Sequence, residues 1–366
     1  MYFIATIPFG PVKIEGLTAR DGFRSAIELM QQSARTMNSI LPASSALCDW
    51  RQLDRKIEAF RLFQFADREL RTEKEPVPVE ESVRRAFEGD SFRAIWMLEG
   101  VGHALGAAES ASAKGLLHAE SIPDRAGIPL HAGMGTAFGE MLMAGLGSNP
   151  TAKEIAAVAH RFVDTCEANC RPGWADATIE PLGLVVRCLY PSLLPQMGLA
   201  METIRPALRP LFWHGVGRSL YFVPSNFLPL PGALERMVRN ARQEALRVED
   251  TRNVLAGLVW AVTLVNLPEP ATLKALLPIC ERLMLRDEFV NGVISATLAW
   301  RHMAPEDRFL LPGYTEPSLA SEHWANWVQH PVAYALAAIF PGLERRNNIP
   351  ALYSWRTSDE LIALGI

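Results

Sequence analysis

The stretch Asn149-Pro150-Thr151-Ala152-Lys153-Glu154-Ile155-Ala156-Ala157-Val158-Ala159-His160-Arg161-Phe162-Val163 reads as the opening of a helix on three separate grounds. Thr151 and Glu154 have capping-box spacing, in which each side chain reaches the other residue's free amide. A proline stands at the boundary, where its missing amide does no harm. Behind it Ile155, Ala156, Val158, Ala159, Phe162 and Val163 recur with the period of a half-buried helix. The same period runs outward in both directions. Phe23, Ile27, Leu29, Met30, Met37 and Ile40 carry it, and so do Leu53, Ile57, Phe60, Leu62, Phe63 and Phe65. A helix is expected from Val79 to Val101, after the charged, proline-bearing connection Glu73 to Pro78. Residues 102 to 149, rich in glycine and alanine and poor in charge, read as a loop followed by a tightly packed small-residue helix, with a ligand-approach surface as the alternative.

Farther along, Pro181, Pro191, Pro195, Pro206 and Pro210 punctuate apolar stretches, so the helices through residue 211 must be short or kinked. Pro224 to Pro231 is another break. Leu234 to Val248, Thr251 to Val265 and Pro270 to Leu285 follow as amphipathic helices, Leu310 to Pro317 as a loop, and the last 50 residues as two or three helices. Only residues 1 to 16, with β-branched and aromatic residues among two prolines and two glycines, suit an extended arm. The expected fold is all-α: a multi-helix, repeat-like helical-hairpin array behind a short extended N-terminal arm. Residues 17 to 366 form a single helical domain in this reading, with two lobes meeting near residues 173 to 217 as the alternative division.

Composition narrows the function. The 366 residues carry 36 Lys and Arg against 40 Asp and Glu, a net charge of -4 that offers no broad positive field to a nucleic-acid backbone. Five cysteines are too few, and too odd in number, for a disulfide framework, and a reducing, cytoplasmic setting is expected. No apolar run approaches the roughly 20 residues of a membrane-spanning helix. Phosphate-binding, nucleophile-elbow, zinc-protease and kinase motifs are missing. So is the aspartate-rich magnesium-diphosphate motif of helical prenyl-diphosphate enzymes.

The residues that can carry chemistry fall in three glycine-bounded segments. Phe212-Trp213-His214-Gly215-Val216-Gly217-Arg218-Ser219-Leu220-Tyr221-Phe222 is read as a turn whose Gly215 and Gly217 amides face an anion beside the Arg218 fork. A tight interhelical turn, with Arg218 on helix carbonyls, explains the same residues structurally. Leu130-His131-Ala132-Gly133-Met134-Gly135 sets a second histidine, able to move protons near neutral pH, beside a glycine-spaced turn, although a hydrogen-bonded packing histidine is the commoner explanation of such a residue. In Gly173-Trp174-Ala175-Asp176 the aspartate either caps a helix or accepts a ligand hydroxyl. Glu88 and Glu99 lie on an apolar helix, where desolvation raises a carboxyl pKa, unless Arg84, Arg85 or Arg93 pairs with them. His160, Asp164 and Glu167 share a helix face at metal-ligand spacing, although a solvated polar stripe has the same pattern. Cys166 and Cys170 lack the second pair that a zinc site requires.

Phe87-Glu88-Gly89, His131-x-Gly133-x-Gly135, Gly173-Trp174 and Gly215-Val216-Gly217-Arg218-Ser219-Leu220-Tyr221-Phe222-Val223, in that order and spacing, resemble a bacterial family associated with enediyne biosynthetic gene clusters (UnbL-type). The resemblance spans residues 17 to 345, and the glycine-arginine block is its most specific part. It implies a place in specialised metabolism and brings no catalytic set with it. Ala175 departs from the pattern, since members of that family tend to have histidine after the glycine-aromatic pair.

The resulting expectation is a biosynthetic enzyme, of cyclase, isomerase or lyase type, enclosing an apolar, polyene-like or isoprenoid-like substrate. His131, His214, Asp176 and Glu88 are its candidate acid/base groups. Gly215, Gly217, Arg218, Ser219, Tyr221, Trp174 and Trp213 are the candidate binding residues. No cofactor is expected, a metal on His160, Asp164 and Glu167 being the minor alternative. The competing expectation is a non-catalytic helical accessory protein that holds a biosynthetic partner or a hydrophobic intermediate.

Overall fold

A computed structural model describes residues 49–72, 77–108, 114–316 and 321–365. The N-terminal arm and the helical pattern from Phe23 to Ile40 lie outside these residues. The described chain is helical from end to end, with no strand among the described residues. The longer helices before the C-terminal region are α1 (Trp50–Thr72), α2 (Val79–Phe87), α3 (Ser91–Ala108), α4 (Gly127–Met143), α5 (Ala152–Asn169), α6 (Pro181–Leu189), α7 (Leu194–Ile204), α8 (Leu208–Leu220), α9 (Ala233–Glu244), α10 (Val248–Val265), α11 (Ala271–Arg282) and α12 (Arg286–Met303). The chain then passes through the turn Pro312–Thr315, a rod over 322–345 in which α and π turns alternate, the 3-10 turn Ile349–Tyr353 and the helix Ser358–Gly365.

The capping box at Thr151 is present in full, with the Thr151 hydroxyl accepting from the Glu154 amide and the Glu154 carboxylate accepting from the Thr151 amide. Other boundaries differ from the reading by period. Val79 to Val101 is two helices, because Gly89 and Asp90 interrupt it and the Asp90 carboxylate accepts the Phe92 amide to start α3. The glycine-rich region is mostly helix: α3 runs on to Ala108, and α4 contains the whole His131-x-Gly133-x-Gly135 block. The segment read as a loop at residues 310 to 317 contains one helical turn.

α1, α3, α4, α6, α8, α10 and α12 form a row in which each helix packs on the next. Glycines set the spacing. A Cβ at Gly102 of α3 would lie 2.1 Å from the Leu130 carbonyl oxygen of α4, and one at Gly133 would lie 1.8 Å from that of Glu99, so these backbones touch directly. The row curls: the Phe92 ring of α3 lies 6.2 Å from that of Trp300 on α12, and α3 also meets α8 through Glu99 and Arg218. One continuous apolar core, reaching from Ala59 to Leu361, fills the interior and spans both sides of residues 173 to 217.

Candidate functional site

α8 is the centre of the site. His214 and Arg218 are one turn apart and therefore share a face. Gly215 and Gly217 lie between them on the backbone, and each lets a neighbouring helix come close. A Cβ at Gly215 would stand 2.1 Å from the Glu180 carbonyl oxygen, and one at Gly217 2.0 Å from that of Val254. The expected anion-binding turn is thus corrected to a buried helix. The Gly215 and Gly217 amides lie inside it, where amides donate to carbonyls four residues back, and they do not face a ligand.

Close approach at Gly215 brings Glu180, the residue just before α6, against this face. Its carboxylate is fully buried; Oε1 accepts from His214 Nδ1 at 2.7 Å and Oε2 from Arg218 Nη1 at 2.6 Å. The other arm of the guanidinium, Nη2, reaches Glu99 Oε1 on α3 at 3.5 Å. Farther along α3, His103 Nε2 lies 3.2 Å from Glu140 Oε2 on α4. Acids and bases from four parts of the chain therefore alternate through the interior. Aromatic rings enclose the centre, with the Trp260 face 4.7 Å from the guanidinium carbon and the Tyr353 ring edge-on to His214 at 5.9 Å. The Tyr353 hydroxyl and Arg218 Nε are buried with no hydrogen-bond partner.

The two carboxyls on Arg218 are driven apart. Burial raises both, but at Glu180 the Arg218 charge and the His214 hydrogen bond prevail and hold it below the usual carboxylate range. Glu99 is kept above that range by desolvation and by the Glu180 charge, against the pull of Arg218 and His103. Glu99 nevertheless retains 16% of its side-chain surface exposed, whereas Glu180 has none and Arg218 only 5%. It is the most accessible of these three groups.

The remaining expected residues lie elsewhere. His131 is buried in α4, its Nδ1 2.6 Å from the Gly127 carbonyl and its Nε2 accepting the Arg171 amide at 3.1 Å. It stacks on Trp174 with ring centroids 5.2 Å apart, and burial first, then the Arg171 charge, pushes its pKa down to about 4. Both nitrogens are engaged with the backbone. Asp176 is the second residue of the turn Ala175–Ile179 and does not cap it, and desolvation raises its pKa. Glu88 is corrected from an apolar helix face to an exposed residue at the end of α2, where it pairs with Arg84. Ser219 donates to the Val216 carbonyl at 2.6 Å, Tyr221 accepts from Asn266 at 2.8 Å, and Trp213 is buried against Gly198. His160, Asp164 and Glu167 are all exposed, Glu167 pairing with Arg205, and no group of three metal-ligating side chains occurs among the described residues. Cys166 and Cys170 are buried free thiols with pKa values raised by desolvation, Cys170 to about 11.

The reading by sequence named His214 and Arg218 and passed over Glu180, the group that joins them. Its one local signal is a carboxylate set between Ala177-Thr178-Ile179 and Pro181-Leu182, where nothing nearby pairs with it. No family model, curated protein or solved structure matches the chain. No helix of the described residues is long and apolar enough to cross a membrane.

Proposed function

We propose that the chain is a biosynthetic enzyme of specialised metabolism in which Glu99, Arg218, Glu180 and His214 perform acid/base chemistry on an apolar, polyene-like or isoprenoid-like molecule. The observation that carries the reading is one arginine held between two carboxyls of opposite tendency, Glu99 toward its protonated form and Glu180 toward its charged form. Glu99, with access to solvent, donates a proton to a double bond of the substrate. The positive charge that develops is met by the carboxylate left on Glu99 as its proton departs, and His214, backed by the buried Glu180 carboxylate, accepts the proton released from a neighbouring carbon. Proton gain and loss cancel, so the product is an isomer or a cyclised form of the substrate. Free cysteines and the UnbL-type resemblance supply the setting, a cytoplasmic enzyme of a metabolite cluster.

The test is to incubate the purified protein with a lipophilic extract of the producing cells and follow the extract by chromatography with mass detection. Metal content is measured on the same sample. An apolar compound converted to an isomer by the wild type, and retained unconverted by Glu99→Gln, is the expected result. Conversion by Glu99→Gln at the wild-type rate overturns the assignment. The second reading, a non-catalytic accessory protein, draws on the direct backbone contacts at Gly215 and Gly217, which leave little room beside Arg218. It is favoured if the protein converts nothing and copurifies with a second protein of the cluster.

A further inference from the structure

After α8 in the chain, α9 and the end of α11 flank a cleft of about 470 Å³. Arg239 and Arg242, three residues apart on α9, line it together with Arg282 from α11. All three are exposed, and none has a carboxylate partner among the described residues. Neighbouring arginines do take carboxylates, as Arg187 does with Glu244, Arg209 with Asp250 and Arg247 with Glu202. Two carboxylates close in sequence to Arg242 and Arg282 are already occupied: Glu244 is held by Arg187 at 2.5 Å, and Glu281 by His323 at 2.9 Å. Glu235 is the one carboxylate on the cleft wall, leaving a local excess of positive charge in a chain whose net charge is -4. Three like charges facing a single carboxylate still repel, and an anion between them relieves that repulsion.

Apart from Gln243, the rest of the wall is apolar. Ile279 is buried at 4% exposure with an edge on the cleft, and Leu283 is half-buried beside Arg282. The volume falls in the range of small-molecule sites, and a docked helix would need an apolar groove several turns long. We infer that this cleft binds a small amphiphilic anion, its carboxylate or phosphate head on Arg239, Arg242 and Arg282 and its apolar body on Ile279 and Leu283. The inference is independent of the Glu99 site and stands or falls separately.

Calorimetric titration of the full chain with decanoate and with decyl phosphate, below their micelle-forming concentrations, tests it. Inorganic phosphate, decyltrimethylammonium and a poly-glutamate peptide serve as comparisons. At least one anionic amphiphile binds, inorganic phosphate and the cationic amphiphile bind far more weakly, and the R239Q/R242Q/R282Q variant loses about tenfold or more in affinity. The arm that binds separates a carboxylate ligand from a phosphate one. Leu283→Ser is expected to weaken the amphiphile while leaving inorganic phosphate unchanged. The inference is overturned if neither anionic amphiphile binds, if the triple variant binds as the wild type does, or if the cationic amphiphile matches the anionic ones. Inorganic phosphate binding as tightly as decyl phosphate overturns it in favour of a plain anion site, and peptide binding without amphiphile binding in favour of a protein contact. The wild-type comparisons need no variant to fold.

Discussion

Arg218 holds the buried charges in balance, so its removal should be felt throughout the site. Arg218→Ala leaves the fully buried Glu180 carboxylate without its main counter-charge, and a loss of about 3 to 5 kcal/mol is expected in chemical denaturation. The double variant Arg218→Met, Glu180→Gln, which removes both charges, should recover much of that loss. His131 makes a different prediction, because its pKa lies below the usual 6.5, at about 4. The folded state resists the proton that the unfolded chain accepts, so this stability is complete above pH 6.5 and declines as pH falls toward 4. Denaturation at several pH values should show a decline steeper than that of His131→Gln by up to about 3 kcal/mol. At this scale the sequence displayed candidates without their relations. His214 and Arg218 stand out as candidates in one segment that reads as a turn, and only the helix places them on one face; their partner Glu180 is 34 and 38 residues away and is selected only by packing.

Helices were legible where period and cap agree, as at Thr151, and less so where glycine intervenes. Glycine in a sequence marks either a positive φ or a backbone that must be touched, and the Gly-x-Gly blocks at residues 133 to 135 and 215 to 217 are of the second kind. Nothing in the local sequence separates the two cases; the contact partner does, and it comes from another helix. Gly257 of α10 illustrates the consequence, since a Cβ there would lie 2.1 Å from the His214 carbonyl oxygen. Gly257→Ala is expected to destabilise the protein by about 1 to 3 kcal/mol or more by forcing α8 and α10 apart. Gly89→Ala, with open space around its Cβ and no positive φ, should be neutral or stabilising by up to about 1 kcal/mol. Thermal unfolding of the two variants side by side measures the difference, and equal midpoints would refute the close-approach explanation.

Over the whole molecule, the curl of the helix row converts separate helix faces into one interior in which acids and bases alternate from Glu140 to His214. The all-α class followed from period and caps alone. The interior network did not, because it depends on α3 meeting α8 across the curl, a contact 119 residues apart in sequence. The network also gives the protein opposing pH responses. Stability from Glu180, whose pKa is lowered, is present above the ordinary carboxylate range and lost as pH falls below it. Glu99 acts the other way: its pKa is raised, so its contribution is intact at low pH and is lost as pH rises and the buried carboxyl is forced to ionise. The most direct measurement is an infrared titration of the carboxyl groups in the wild type and in Glu99→Gln. A protonated-carboxyl band that persists above the pH at which surface carboxylates ionise, and is missing from Glu99→Gln, is the expected outcome. Identical titrations of the two proteins would contradict the assignment of Glu99 as the proton-bearing acid.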